Sequence, residues 1–332
     1  VWIGVGARDE PAPQAGVSHF LEHLLFKGTE TRSATQISQA VDRVGGDINA
    51  YTSKEYTAFY CRVPARAADL GIEILGDVLT APALRDSDVE SERQVILDEL
   101  AMDDDSPEDV VHRVFAEQVF GGHALGRETA GERDSVRSLT GDDVRRFFGD
   151  HYRASNAVIA VAGAVDVDTV IERVSSAFAG LPAGDGRVAR DEPIGAGDSV
   201  DIDDDTEQVH VVVGGRSISR TDPDREALDV VNHVLGGGLS SRLFDEIRER
   251  RGLAYSVFSS AAAYADAGMW SVYAGSLPEH ADEVRTLVGV EIDRLIAERI
   301  TADELDIAPG YLSGSYEMGL AASGARMTRL GG

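Results

Sequence analysis

The chain alternates between two hydrophobic periods. Val1-Trp2-Ile3-Gly4-Val5 opens on the period of two expected of a strand, and Tyr56 to Val63 and Met269 to Leu277 read the same way. Each of the latter two is closed by a proline, Pro64 or Pro278, and followed by a long stretch with apolar residues at helical spacing. Ser87-x-x-Glu90 and Thr301-x-x-Glu304 carry the capping-box pattern, which opens a helix by satisfying its free N–H groups. Ser315 to Leu330 reads as a further helix. From Leu181 to Asp205 periodicity fails, in a Gly-, Pro- and Asp-rich passage that reads as a linker.

The stretches on either side of that passage share one order of elements, the mark of a long-period repeat. Val5-Gly6-Ala7-Arg8 and Val213-Gly214-Gly215-Arg216 each end a strand and lead through a loop to an amphipathic helix. His23 and His233 sit at the ends of those helices, each five residues before a glycine, Gly28 and Gly238. The expected organisation is a domain over residues 1–185, a linker over 186–205 and a homologous domain over 206–332.

The first of these helices contains His19-Phe20-Leu21-Glu22-His23. On a helix, residues i and i+4 share a face one turn apart, so His19 and His23 can converge on one ion with Glu22 beside them. The order H-x-x-E-H inverts the H-E-x-x-H zinc helix, and both place a general base next to a metal-bound water. The repeat has Asp229-x-x-Asn232-His233 at the matching place. An amide cannot take a proton from water, so one catalytic centre per chain is expected, with His233 packed or hydrogen-bonded instead of ligating. A catalytic zinc takes three protein ligands and leaves a position open. The helix after Ser87 offers Glu92 and Glu99, two turns apart on one face, with Val95, Ile96 and Leu100 to anchor it. One glutamate could bind the metal and the other accept a histidine N–H; spacing does not choose between them.

Composition narrows the class. The 332 residues, 43% of them apolar, suit two domains. A formal charge of −27, from 58 acidic against 31 basic residues, argues against a nucleic-acid partner. Cys61 is the only cysteine, so an intrachain disulfide is excluded and a cysteine-rich structural zinc site is disfavoured. No apolar run is long enough to span a membrane, and a cytoplasmic location is the expectation. The chain opens inside a strand without a start methionine and stops just after a helix, which reads as truncation at both ends; a signal or transit peptide could lie before Val1.

Four runs then carry a family resemblance: His19-Phe20-Leu21-Glu22-His23-Leu24-Leu25-Phe26-Lys27-Gly28-Thr29, Asn49-Ala50-Tyr51-Thr52-Ser53, Glu92-Arg93 with Asp98-Glu99, and His123-Ala124-Leu125-Gly126-Arg127. With these the chain resembles the M16 metallopeptidases, which include pitrilysin, insulin-degrading enzyme and the mitochondrial processing peptidase, and in particular the bacterial single-half type. The resemblance implies an α+β fold of two homologous domains, each an antiparallel sheet covered by helices. It implies one zinc per chain, held by His19, His23 and Glu99, the last 76 positions after His23, with Glu92 in support. Glu22 would activate the zinc-bound water for cleavage of short or unfolded peptides.

By the same resemblance the strand through Asn49 and Ala50 is a sheet edge on which substrate adds as an extra strand. Arg248 and Tyr255 match the family's substrate-binding pair, which reaches the zinc site from the other half of a clamshell. Single-half members pair, so a homodimer, or a heterodimer with a homologous M16 chain, is expected, with Arg248 and Tyr255 acting in trans. The competing expectation is a peptide-binding or scaffold subunit without catalysis.

Overall fold

A computed structural model of the protein describes residues 1–195 and 197–332; the expected linker over 186–205 thus includes one residue, 196, outside the described set. The described chain forms two compact units. One comprises Val1–Met102, Arg127–Arg190 and Gly319–Gly332; the other comprises Asp103–Gly126 and Asp191–Met318.

The first unit is a four-stranded sheet with helices packed on it. Its strands are β1 (Trp2–Ile3), β2 (Asp47–Thr52), β3 (Thr57–Arg62) and β4 (Ala157–Val158), in the order β2-β3-β1-β4, every neighbouring pair antiparallel. β2 is therefore an edge strand. Helices α1 (Val17–Leu25), α2 (Ala34–Asp42), α3 (Ala68–Thr80) and α4 (Asp86–Asp104) belong largely or wholly to this unit. Val17, Phe20, Leu21, Leu24 and Leu25 of α1 are buried in a core that includes Phe59, Ile74, Val78, Leu79 and Ile96. Each such side chain contributes about 1.5–3 kcal/mol on burial. Packing of that kind, more than helix propensity, keeps a nine-residue helix formed.

α4 follows a narrower stripe. Val89, Glu92, Ile96 and Leu100 are its buried residues, so a glutamate occupies one core-facing position. Val95, expected to anchor the helix, is 42% exposed instead, because it lies off that stripe.

The second unit holds a three-stranded antiparallel sheet in the order β5-β7-β6, where β5 is Val209–Ser217, β6 is Ala254–Ala263 and β7 is Gly268–Ser276. α5 (Pro107–Phe120) belongs here too. One core gathers Leu235, Leu243, Ile247, Val257, Val272, Val284 and Val288; a smaller one gathers Val119, Phe120, Leu125 and Ala267. Mixed helix and antiparallel sheet in two units is the architecture expected from the chain. Among the described residues no helix is long and apolar enough to cross a membrane.

Three local expectations meet different fates. The Thr301 box forms: Thr301 N–H donates to Glu304 Oε2 at 2.8 Å and Glu304 N–H donates to Thr301 Oγ1 at 3.2 Å. The Ser87 box does not open its helix; α4 begins at Asp86, ahead of Ser87, and Glu90 is spent on Arg93 at 2.9 Å. Ser315 to Leu330 is divided between two helices, ending at Gly319 and restarting at Ser323, around a turn in which Ala322 N–H donates to Gly319 O.

Glu304 has a second role. Its carboxylate receives Arg242 Nε at 2.6 Å and Nη2 at 2.8 Å, and this arginine, with the Thr301 amide, lowers its pKa to about 2. A carboxylate depressed in the folded state stabilises above its unfolded pKa near 4.5 and loses that contribution as pH falls toward 2. Glu304→Gln is therefore expected to cost about 1–2 kcal/mol at pH 7, after solvent screening. In denaturant titrations the gap to the unsubstituted protein should close between pH 4.5 and pH 2.

Gly16 and Gly131 cross at a point where neither tolerates a side chain. Both have positive φ, +92° and +87°; a Cβ at Gly16 would meet Ala130 O at 2.5 Å, and one at Gly131 would collide with Ala15 O. Gly131→Ala is expected to lower the urea midpoint by an amount equivalent to about 2–4 kcal/mol, since strain and collision add.

Candidate metal centre

The centre is built from two helices and one strand of the first unit. Because α1 buries its Phe20, Leu21 and Leu24 side, the other side carries His19, Glu22 and His23 into partial exposure. The two imidazoles stand edge to face, their Nε2 atoms 3.3 Å apart. Glu99 of α4 brings Oε2 to 3.9 Å from His19 Nε2 and 3.5 Å from His23 Nε2. Among the described residues this trio is the one group of His, Cys, Asp or Glu close enough to share an ion.

The spacing suits zinc. Tetrahedral bonds of about 2.0–2.1 Å place neighbouring donor atoms roughly 3.3–3.4 Å apart, so these three atoms need move only by tenths of an ångström to enclose one ion. Burial, helped by the neighbouring His23, lowers the pKa of His19 to about 4. Its ring is thus neutral, the form that offers a lone pair.

Glu92 stands differently. Its Oε2 lies 3.2 Å from His23 Nδ1, the nitrogen that faces away from Glu99, and its Oε1 is 2.5 Å from Lys27 Nζ. The two glutamates of α4 that spacing left equivalent are therefore separated by geometry: Glu99 is at the ring edges where the three donors meet, Glu92 is behind His23. Lys27, to which local spacing assigns no role, offsets the charge of a carboxylate that is only 3% exposed.

Glu22 has its own partner. Thr52 Oγ1, at the end of β2, donates to Glu22 Oε2 at 2.5 Å. Burial raises the Glu22 pKa above the ordinary carboxylate value, and the Thr52 hydroxyl pulls it the other way. Thr52 belongs to the run Asn49-Ala50-Tyr51-Thr52-Ser53, but nothing in local spacing pairs it with a residue 30 positions earlier. Replacing it by valine removes the donor while keeping the shape.

Asn49 and Ala50 lie on edge strand β2, as expected of that segment. Asn49 Oδ1 accepts the N–H of Ala50 at 2.8 Å, so the side chain covers one backbone donor of the open edge. Arg248 and Tyr255 meet each other within the second unit: Arg248 Nη1 donates to Tyr255 O at 2.9 Å, and its guanidinium stacks 4.5 Å from the Tyr255 ring centroid and 4.8 Å from that of Phe244. Tyr255 is 76% exposed. Arg248 leaves a π-helical turn, Phe244–Arg250, a deviation that recurs at functional sites.

The repeat's counterpart has become packing. Asn232 Oδ1 accepts Trp270 Nε1–H at 3.1 Å, and its backbone oxygen accepts Ser259 Oγ–H at 2.9 Å. His233 stacks on Tyr311 with ring centroids 4.3 Å apart. As the sequence suggested, His233 is a packed residue.

Residues 1–133 match the family model described as Insulinase (Peptidase family M16), and residues 138–308 match the one described as Peptidase M16 inactive domain. An uncharacterized zinc protease of Streptomyces coelicolor is 44% identical over the whole of this chain and 74% of its own length. One from Bacillus subtilis is 34% identical over the whole chain and 81% of its own length. The crystal structure of a protease from Helicobacter pylori superposes with a TM-score of 0.91 at 26% identity, covering 98% of this chain and 80% of that one. A second solved structure, a peptidase M16 inactive domain from Pseudomonas fluorescens, shares the fold with a TM-score of 0.92 at 23% identity, covering 99% of this chain and 80% of that one. The chain belongs to peptidase family M16.

Proposed function

We propose that the chain is a zinc-dependent endopeptidase acting on short or unfolded peptides, with one zinc held by His19, His23 and Glu99. The observation that carries this reading is the triangle of donor atoms at 3.3, 3.5 and 3.9 Å, with a buried-shifted carboxylate on the same helix. Zinc, when bound, supplies the Lewis acidity that makes water nucleophilic near neutral pH. Glu22 takes the proton of the attacking water and delivers it to the leaving amine, and its raised pKa suits a group that both accepts and gives a proton. Thr52 aims the carboxylate, and Glu92 fixes the tautomer and direction of His23. Peptide would add along β2 at Asn49 and Ala50, main-chain pairing gripping it with little regard to sequence.

On this reading residues 1–185 form the catalytic domain, 186–205 the linker and 206–332 a non-catalytic repeat. Catalysis takes place in a homodimer or in a heterodimer with a homologous M16 chain, Arg248 and Tyr255 serving the partner's zinc site. The pre-formed Arg248–Tyr255 stack supports a pair that acts together. Mixing Glu22→Gln chains with Arg248→Ala chains, each inactive alone, should restore up to about a quarter of the activity if pairing is random and the homodimer forms, because one of the two composite sites in a mixed dimer is intact. No recovery, with mixed dimers verified, rejects action in trans.

The overall assignment is tested by metal analysis together with hydrolysis of an unstructured fluorogenic peptide. One zinc per chain, with hydrolysis lost on chelation and regained on adding zinc, is the expected result. Bound zinc without hydrolysis favours instead the inactive peptide-binding subunit.

A further inference from the structure

Glu10 takes no part in the chemistry assigned so far, yet it is a carboxylate only 4% exposed at the entrance to α1. Its Oε2 accepts the backbone N–H of Gly16 at 2.6 Å, and its Oε1 accepts that of Ser18 at 2.7 Å. Both amides lie at the start of α1, where a helix leaves its N–H groups without internal partners. The residue that would ordinarily supply a capping side chain is Gly16, which has none. Nor could evolution place one there without moving backbone, given the approach of Ala130 O and the positive φ.

The surroundings hold Glu10 in place. Arg127 Nη2 donates to the Glu10 backbone oxygen at 3.1 Å, and Ser135 Oγ donates to Ala15 O at 2.7 Å. The loop carrying Glu10 and the turn entering α1 are thus tied to the same later stretch of chain. Burial pushes the Glu10 carboxyl up to about 7 against the pull of the two amides, so the charged form, which the helix dipole also favours, is held above that pH, while its oxygens accept from both N–H groups in this geometry.

His19 follows Ser18 directly and is the third residue of α1, inside the first turn. An unsecured first turn frays, and fraying here would move a metal-facing imidazole. We infer that Glu10 is a positioning residue that caps α1 from outside the helix and so fixes the direction of His19. The inference rests on reading α1 as the zinc helix.

A glutamine at this position keeps the shape but presents one acceptor and one donor to two N–H groups, whereas alanine leaves both amides buried and unpaired. The test measures zinc dissociation constants by chelator competition on full-length Glu10→Gln and Glu10→Ala chains whose circular dichroism is native at the working temperature. Glu304→Gln, in the second unit, serves as a control for stability loss without change at α1. Expected are zinc affinities weakened about 10-fold for Glu10→Gln and about 100-fold for Glu10→Ala, the range seen when outer partners of ligands are removed. The control should keep the unsubstituted value. Should Glu10→Ala not fold, Glu10→Gln alone decides. Glu10→Gln with undiminished zinc affinity overturns the inference and leaves the metal site standing; an equal loss in Glu304→Gln overturns it as well, by showing a global effect. Unsubstituted protein that binds no zinc overturns the metal reading and, with it, this inference.

Discussion

Glu22→Gln is expected to retain a full zinc complement and lose peptide hydrolysis by about three orders of magnitude or more, equivalent to roughly 4 kcal/mol of transition-state stabilisation. The substitution is isosteric, so α1 keeps its packing and the Thr52 hydroxyl can still donate to the remaining side-chain oxygen. What disappears is the capacity to take a proton. Glu22 lies outside the trio of converging donors, so metal content should not follow activity down. Zinc per chain and steady-state hydrolysis, measured on the same preparation, separate the two. Undiminished hydrolysis would remove Glu22 as the base; loss of zinc along with activity would instead recast it as part of the ligand field.

The second large effect distinguishes the two glutamates of α4. Glu99→Gln is expected to weaken zinc binding by at least about three orders of magnitude and abolish hydrolysis, because it removes the only anionic donor of the trio. Glu92→Gln should weaken binding by only about 10–100-fold, the usual consequence of losing a carboxylate behind a ligating histidine. It should also destabilise the fold, since Lys27 Nζ loses its charged partner and a core-facing position keeps a polar group. Chelator competition and thermal melts on both variants decide the matter. If Glu92→Gln empties the site and Glu99→Gln does not, the roles are exchanged and His23 must bind through Nδ1.

These expectations draw on different depths of information. His19, Glu22 and His23 are legible from the chain because the pitch of a helix is a local property: four residues make one turn whatever the rest of the protein does. Side-chain chemistry is equally local: an amide at Asn232 cannot take a proton from water, which argues against a second centre, and the bonds of Asn232 to Trp270 and Ser259 give that residue a structural use. Periodicity also marked the strands around Thr57–Arg62 and Gly268–Ser276. It could not place α4's start, because the Ser87 and Thr301 boxes are alike as patterns and differ only in which neighbour competes for the glutamate. At Glu90 an arginine three residues on takes it; at Glu304 the arginine, Arg242, comes from afar and leaves the box intact.

What the chain determined by itself, then, is everything that depends on residues within a turn or two: the face shared by two imidazoles and a carboxylate, the alternation of the strands at Thr57–Arg62 and Gly268–Ser276, and the loss of the base in the repeat. Spacing leaves Glu92 and Glu99 equivalent on one helix face and family resemblance points to Glu99; the physical separation of the two comes only from the placement of α4 against α1. Tertiary structure alone also brought Thr52 to Glu22, Lys27 to Glu92 and Glu10 to the first turn of α1. The physical reason is the range of the forces involved. Helix pitch and strand alternation are set by neighbouring peptide units, whereas a buried hydrogen bond between distant residues exists only after the core has closed and excluded the water that would otherwise satisfy both partners.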